Sequence, residues 1–444
     1  MNNLCRELLD WVDPQIVAQK LIQIYGEPGL VWLDSDGSKN GRWIILGADP
    51  IEHICSHGLP NDPSATNPFE LLRTIHSGHW SGWLSYEAGA WIEPNNPWKQ
   101  DSMATLWCAR HDPILKFDLY NQQLWLEGID RKRLVEIREL LKELKASNLQ
   151  KNQSLKRTKE FQGIAKEKWK WLNNKEEYAK KVATIKQYIE EGDIFQANLS
   201  TCCQTKNTAN LLSIDLFKRL RQYCPSPFSG IVVATGEALG EAVISTSPER
   251  FLKVLPNQKV ETRPIKGTRP RHANPKKDSE FAADLVSSLK DRAENIMIVD
   301  LLRNDLGKVC IPGTIDITQL VGLESFSKVH HLTSVIKGKL KTNKTWVDLL
   351  EACWPGGSIT GAPKIRACKR LYEQESIARG PYCGSFIHLD WNGQFDSNIL
   401  IRSLMVQKSS LRIYAGCGIV ADSDPYSESE ELTWKIMPIL EALQ

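Results

Sequence analysis

Nowhere in the 444 residues does an apolar run approach the roughly 20 residues that a membrane-spanning helix requires. The first ten, Met1 to Asp10, mix acids and a base where a secretion signal would need an unbroken apolar segment. Charge of one sign is scarce as well: 56 Lys and Arg against 53 Asp and Glu leave a formal +3, too little over this length to select nucleic acid or a membrane surface as partner. The one locally basic run, Arg269 to Lys277, reads as a solvated loop beside an anionic ligand. The eleven cysteines are an odd number without a repeated two-residue spacing, and Cys202 and Cys203 are adjacent, which suits neither a disulfide framework nor a zinc site. No repeat of solenoid period is present. These absences lead us to expect a cytoplasmic protein with reduced thiols.

What remains is a globular chain, 41% hydrophobic and 25% charged, long enough for two or three domains. Residues 1–149 alternate short β-rich runs such as Gly41 to Leu46 with Gly, Pro and Asn punctuation, and end in a charged helical stretch near Arg131 to Ala146. Residues 150–174 are polar and lysine-rich, with Trp169 and Trp171 as apolar anchors, and read as a connection to a second region, 175–444. There Asn174 and Glu177 have capping-box spacing ahead of a helix whose face is Tyr178, Val182, Ile185 and Ile189, with Gly192 to stop it. A strand, Ile194 to Ser200, follows, with Gln196 and Asn198 on the face opposite Phe195. The stretch Glu280 to Asp305 predicts one long helix or two abutting ones, with Phe281, Leu285 and Leu289 as the core stripe. Near the C-terminus Glu428, Glu431 and Lys435 share one helical face and Leu432, Ile436, Ile439 and Leu443 another, while Pro438 is expected to kink or shorten that helix.

The segment Glu261-Thr-Arg-Pro-Ile-Lys-Gly-Thr-Arg-Pro270 sets one amine, Lys266, between a proline and a glycine, with Arg263 and Arg269 on either side. Desolvation and neighbouring cations both disfavour an ammonium, so a lysine so placed can serve as a nucleophile. The same ten residues also fit an ordinary surface turn.

Five blocks decide between these readings: Ser247 to Phe251 (SPERF), Pro264 to Thr268 (PIKGT), Asp291 to Asp305, Gly356 to Lys364 and Ala415 to Ser423. In this order they resemble the chorismate-using enzymes related to anthranilate synthase component I, densely from about Glu176 to Lys435. Lysine in the middle of the turn resembles the aminodeoxychorismate branch of that family, whereas the anthranilate branch, the nearest alternative, has alanine there. The resemblance implies an α+β fold of two antiparallel β-sheets packed face to face with helices outside. It also implies attack by Lys266 at C2 of chorismate while Glu249 protonates the departing C4 hydroxyl, with ammonia then entering at C4. From the residues alone, Glu249 could instead form an ion pair with the adjacent Arg250.

By the same resemblance one Mg²⁺ is held by Glu294 and Glu431, with Glu428 contacting it through water; from spacing alone, the Glu428/Glu431/Lys435 face reads as solvated surface. Substrate carboxylates are implied to meet Gly267, Thr268, Tyr382, Arg402 and the run Gly416-Cys417-Gly418, whose middle residue departs from the small Ala or Gly expected. Arg402 lies in a run, Ser397 to Val406, that reads as a strand, and needs a carboxylate partner: a ligand, Asp396 or a helix glutamate. His331, one of nine histidines, matches a residue that anthranilate synthases use for pyruvate loss. Isochorismate and salicylate synthases carry a water-activating lysine where Gln196 stands. No Gly-x-Cys-x-Gly elbow with a later His-x-Glu occurs, so a separate glutamine amidotransferase subunit is the expected ammonia source. A tryptophan site is implied at Ser35, Arg42, Trp43, Pro227, Phe228 and Ser229, although the loop Asp36 to Gly41 departs from the family pattern. A binding protein that kept the fold and lost catalysis would be expected to lack an acid or a metal ligand, and Glu249, Lys266, Glu294 and Glu431 are all present.

Overall fold

The computed structural model describes residues 4–150, 163–207, 211–326 and 329–444. Among these, two antiparallel sheets of 12 and 10 strands face each other. The first runs from Cys5–Leu9 at one edge through Val31–Asp34, Phe228–Val233 and Ala242–Ser247 to Ser410–Ile419, Gln196–Lys206 and Gly361–Ala362 at the other. The second runs from Ile265–Pro270 through Val329–Lys339, Arg250–Val254 and Phe395–Asn398 to His79–Leu84 and Glu52–Ser56. Each sheet draws strands from both sides of segment 150–174. Within that segment 151–162 lie outside the described residues; beyond them Trp169 is buried and Lys170–Trp171 pairs as a short strand with Gln196–Lys206.

Side-chain alternation explains the two-layer core. In the first sheet Val232, Val243, Met405 and Tyr414 turn toward Trp83 and Trp107 of the second sheet. Their neighbours Ile231, Ile244, Leu404, Ile413 and Cys417 turn outward, under helices. Both faces are buried, so these strands read as near-continuous apolar runs.

Eight elements carry the site: α1 (Lys175–Glu190), β1 (Gln196–Lys206), β2 (Ile265–Pro270), α2 (Pro275–Ser287), α3 (Leu289–Val309), β3 (Val329–Lys339), β4 (Ser410–Ile419) and α4 (Pro425–Ala442). The α1 capping box forms as its spacing predicts, with Asn174 and Glu177 bonding each other's backbone N–H. A buried pair fixes β1: Arg379 Nη2 donates to Asn198 O at 2.7 Å and to Glu375 Oε1, which also accepts from Ser200 N at 2.9 Å.

Of the two forms expected for the stretch from Glu280, two abutting helices is the one observed, because Ser288 leaves helical geometry (ψ 108°) and caps α3 through its hydroxyl. That break turns Leu289 outward, 82% exposed, so the core stripe ends at Leu285. Helix α4 runs through Pro438 without shortening, and Leu432, Ile436, Ile439 and Leu443 are buried as expected.

Candidate active site

Strand β2 is the edge of the second sheet, and its register against β3 slips between Ile265 and Thr268. Gly267 takes φ +82° in that bulge, which favours glycine, and the bulge re-aims Lys266 out of the ladder. The amine lands against Gly418 on the inner face of β4: a Cβ there would stand 3.3 Å from Lys266 Nζ, 3.2 Å from Glu294 Oε2 and 2.6 Å from Gln196 Nε2. Glycine at 418 is what lets these three side chains converge. Gly416, two residues earlier and on the same face, has Asn198 and Leu199 just as close. Cys417 between them points to the other side, into the helices, where its thiol meets the Glu428 carbonyl at 3.4 Å.

The cations flanking Lys266 do not act as the sequence implied. Arg263 pairs with Glu324 at 2.5 Å, and Arg269 pairs with Asp284 at 2.7 Å and Asp291 at 3.3 Å, so each guanidinium is neutralised. The ion-pair partner of Lys266 is Glu294, at 3.8 Å.

Glu249 is only 4% exposed. Burial pushes its carboxyl up to about 7, against the opposing pull of Ser358, Lys266 and the Ile265 backbone. A carboxyl poised there can give and take a proton near neutrality. The alternative pairing with Arg250 does not form: Arg250 binds Asp396 through two bonds of 3.0 Å and reaches Glu261 at 3.4 Å.

Helices α3 and α4 bring carboxylates together on the opposite side of Lys266. Glu428 is 4% exposed rather than solvated, and its Oε1 accepts from Ser423 Oγ at 2.7 Å and Lys290 Nζ at 3.1 Å. Glu431 pairs with Lys435 at 2.7 Å; burial raises its carboxyl, but Lys435 together with Lys290 and Lys266 holds it below the usual range. Burial raises Glu294, with Lys266 and Lys290 opposing. Donor atoms of Cys417, Glu428 and Glu431 lie within 4.8 Å of one another, and Glu294 stands outside that group, beside Lys266. The hard oxygens of Glu428 and Glu431, with Glu294 sharing the charge of Lys290, fit a cation such as Mg²⁺ that keeps part of its water.

A second half of the site offers donors without partners. Arg402 is not in a strand: it takes φ +50° between Phe395–Asn398 and Ser403–Val406. Among the described residues it has no carboxylate within ion-pair distance, Asp396 being taken by Arg250, and burial lowers its pKa. His331 is 1% exposed; its Nδ1 lies 2.8 Å from Thr268 Oγ1 and its Nε2 has no partner. Burial, with the Arg402 guanidinium next, pushes His331 down to about 3, so the ring is neutral. Gln196 Oε1 and Thr333 Oγ1 are likewise buried and unpartnered. Unmatched polar atoms of this kind are what a pocket for a polar ligand presents. Tyr382 is buried and stacks on Tyr414 at 5.1 Å.

The residues assigned to tryptophan converge on the first sheet: Ser35 Oγ donates to Trp43 O at 2.8 Å and lies 3.2 Å from Pro227 O, and Ser229 pairs with Asp34 across strands. Arg42 forks onto Asp118 at 2.9 and 2.6 Å, and Phe228 lies under the Arg250 guanidinium at 4.7 Å. Sequence reasoning passed over Ser358, inside a block it had marked, and Lys290, whose signal was its place one helical turn before Glu294.

The sequence profile of the chorismate binding enzymes matches residues 31–441. An anthranilate synthase component I-like protein of Synechocystis sp. is 36% identical over 393 residues, 88% of this chain and 76% of that protein. Aminodeoxychorismate synthase component 1 of Escherichia coli is 40% identical over 277 residues, 62% of this chain and 59% of the relative's own length. The crystal structure of anthranilate synthase component I from Streptococcus pneumoniae superposes with a TM-score of 0.73 at 26% identity, covering 91% of this chain and 93% of that one. With the ordered blocks, the two facing sheets and the Lys266 pocket, this match across nearly the whole chain means that the protein belongs to the family of chorismate binding enzymes.

Proposed function

We propose that the chain is the chorismate-converting component of an aminodeoxychorismate synthase, making 4-amino-4-deoxychorismate for 4-aminobenzoate and folate synthesis. The observation that carries this reading is an amine, Lys266, in electrostatic contact with a buried carboxyl, Glu249, held at about 7. Lys266 Nζ, as the free amine once its proton has gone to solvent, attacks ring C2 as the double bonds shift and the C4–O bond breaks, and Glu249 gives its proton so that water departs. Ammonia then adds at C4, the electrons shift back, the C2–N bond to Lys266 breaks, and Glu249 recovers a proton from the incoming nitrogen. Two displacements through one amine return the substituent to the original face of C4.

Arg402 with the neutral His331 receives a substrate carboxylate, since a half-buried guanidinium without an internal carboxylate favours a bidentate anion. Glu294, Glu428 and Glu431 would hold Mg²⁺, which when bound would supply a Lewis-acidic anchor for the other carboxylate. Ammonia comes from a separate glutamine amidotransferase subunit. The set from Ser35 to Ser229 is the place for a bound tryptophan.

Anthranilate formation is the second reading, favoured by the names of the Synechocystis and Streptococcus relatives. Lys266 argues against it, because that reaction needs ammonia at C2, where the lysine stands. The deciding experiment is mass spectrometry of products from purified protein, chorismate, Mg²⁺ and ammonium, alongside Lys266→Ala. Aminodeoxychorismate from the wild type, lost in the variant, is the expected result; anthranilate or isochorismate from the wild type refutes the assignment.

A further inference from the structure

Each carboxylate beside Lys266 is matched by an ammonium: Glu294 by Lys266 at 3.8 Å, Glu428 by Lys290 at 3.1 Å and Glu431 by Lys435 at 2.7 Å. The cluster is therefore neutral before any metal arrives. A divalent cation bound to these oxygens adds two positive charges to a set of groups that is already balanced, and in a partly buried site such an excess is unfavourable. Before substrate brings its own carboxylate, that excess is relieved when one ammonium moves away.

The three lysines differ in their freedom to do so. Lys435 also donates to the Gly416 carbonyl at 2.7 Å and lies 3.8 Å from the Cys417 sulfur, which ties it to β4. Lys266 is aimed by the β2 bulge and its side chain is only 11% exposed. Lys290 stands in the first turn of α3, and its side chain is 43% exposed. Among the described residues its one hydrogen bond is to Glu428, yet its charge acts on Glu428, Glu294 and Glu431 alike. A long, half-exposed side chain with one tether can swing into water at small cost.

We propose that Lys290 is the resident counter-ion of the divalent-cation site, holding the three carboxylates together until the metal binds and then leaving Glu428 for solvent. The inference rests on the reading that this cluster takes Mg²⁺. It goes further in making lysine and metal alternatives, so that Lys290 sets how tightly the cation is held. A lysine that merely supported the fold, or that helped to anchor the carboxylates for the metal, has the opposite consequence: its loss weakens metal binding.

The test uses Mn²⁺ as a paramagnetic probe, titrated into purified full-length wild type, Lys290→Met, Lys290→Arg and Glu294→Gln, with free Mn²⁺ read by EPR and folding checked by circular dichroism. Removing the competing charge and its ion pair should tighten Mn²⁺ about five- to tenfold in Lys290→Met. Lys290→Arg, which keeps the charge, should stay near wild type. Metal-free Lys290→Met should also melt below wild type, with the gap closing as Mn²⁺ saturates. Equal or weaker Mn²⁺ binding by folded Lys290→Met overturns the displacement while leaving the metal reading intact. Absence of Mn²⁺ binding in both proteins, or binding indifferent to Glu294→Gln, overturns the metal reading and this inference with it. Should Lys290→Met fail to fold, Lys290→Gln carries the same comparison.

Discussion

Replacing Glu249 by glutamine should make the protein's stability less sensitive to alkali, by an amount that follows from the burial of one carboxyl. The native carboxyl titrates at about 7 against an ordinary 4.5. Between those values the native state holds a proton that the unfolded chain has released, so stability falls as pH rises through the window. Below it both states are protonated and the wild type suffers no loss; above it the loss is complete. Each pH unit corresponds to ~1.4 kcal/mol, so the full window amounts to about 3 kcal/mol. Glutamine fills nearly the same space and does not ionise. Denaturant midpoints of wild type and Glu249→Gln, measured from pH 4.5 to 8, should therefore diverge in favour of the variant by about 3 kcal/mol, with most of the change between pH 5 and 7. Turnover by the variant should be lost at every pH. A stability difference flat across the range would mean that water reaches the carboxyl, and the case for Glu249 as a proton donor poised near neutrality would fall.

Arg402→Met should raise the KM for chorismate about 10- to 100-fold, the worth of a charge-assisted pair, while leaving thermal stability unchanged or improved, since no internal carboxylate loses a partner; a large drop in melting temperature would show that Arg402 holds the fold rather than the substrate. Gly418→Ala brings a methyl within 2.6 Å of Gln196 Nε2 and 3.3 Å of Lys266 Nζ. Those contacts are the ends of side chains that can move, so kcat should fall by about tenfold or more with little change in melting temperature, the cost of misplacing a reacting group. Unaltered turnover in that variant would place the reacting carbon elsewhere than beside Gly418.

The parts of the molecule legible in the sequence were those whose physics is local. A capping box needs two residues three apart, and Asn174 and Glu177 formed it; a period of two put Gln196 and Asn198 on one face. The same period, applied to Gly416, Cys417 and Gly418, shows why a cysteine is accommodated between two close-packed glycines: its side chain faces the other way. What escaped sequence reasoning depended on which strands lie side by side. Arg263 and Arg269 were near Lys266 along the chain, yet folding gave each a carboxylate from another segment, Glu324 and Asp284. Arg250 bypassed its neighbour Glu249 for Asp396, 146 residues away. That last pairing has two functional consequences. Because Asp396 goes to Arg250, Glu249 is left buried without a cation bonded to it, and Arg402 is left without an anion. Had Glu249 paired with Arg250, its carboxyl would stay ionised at neutral pH and could donate nothing. Had Arg402 taken Asp396, it would have no free fork for a substrate. A single long-range ion pair thus leaves both the acid and the anion receptor available, and no window of the sequence short enough to show a periodicity contains both of its partners.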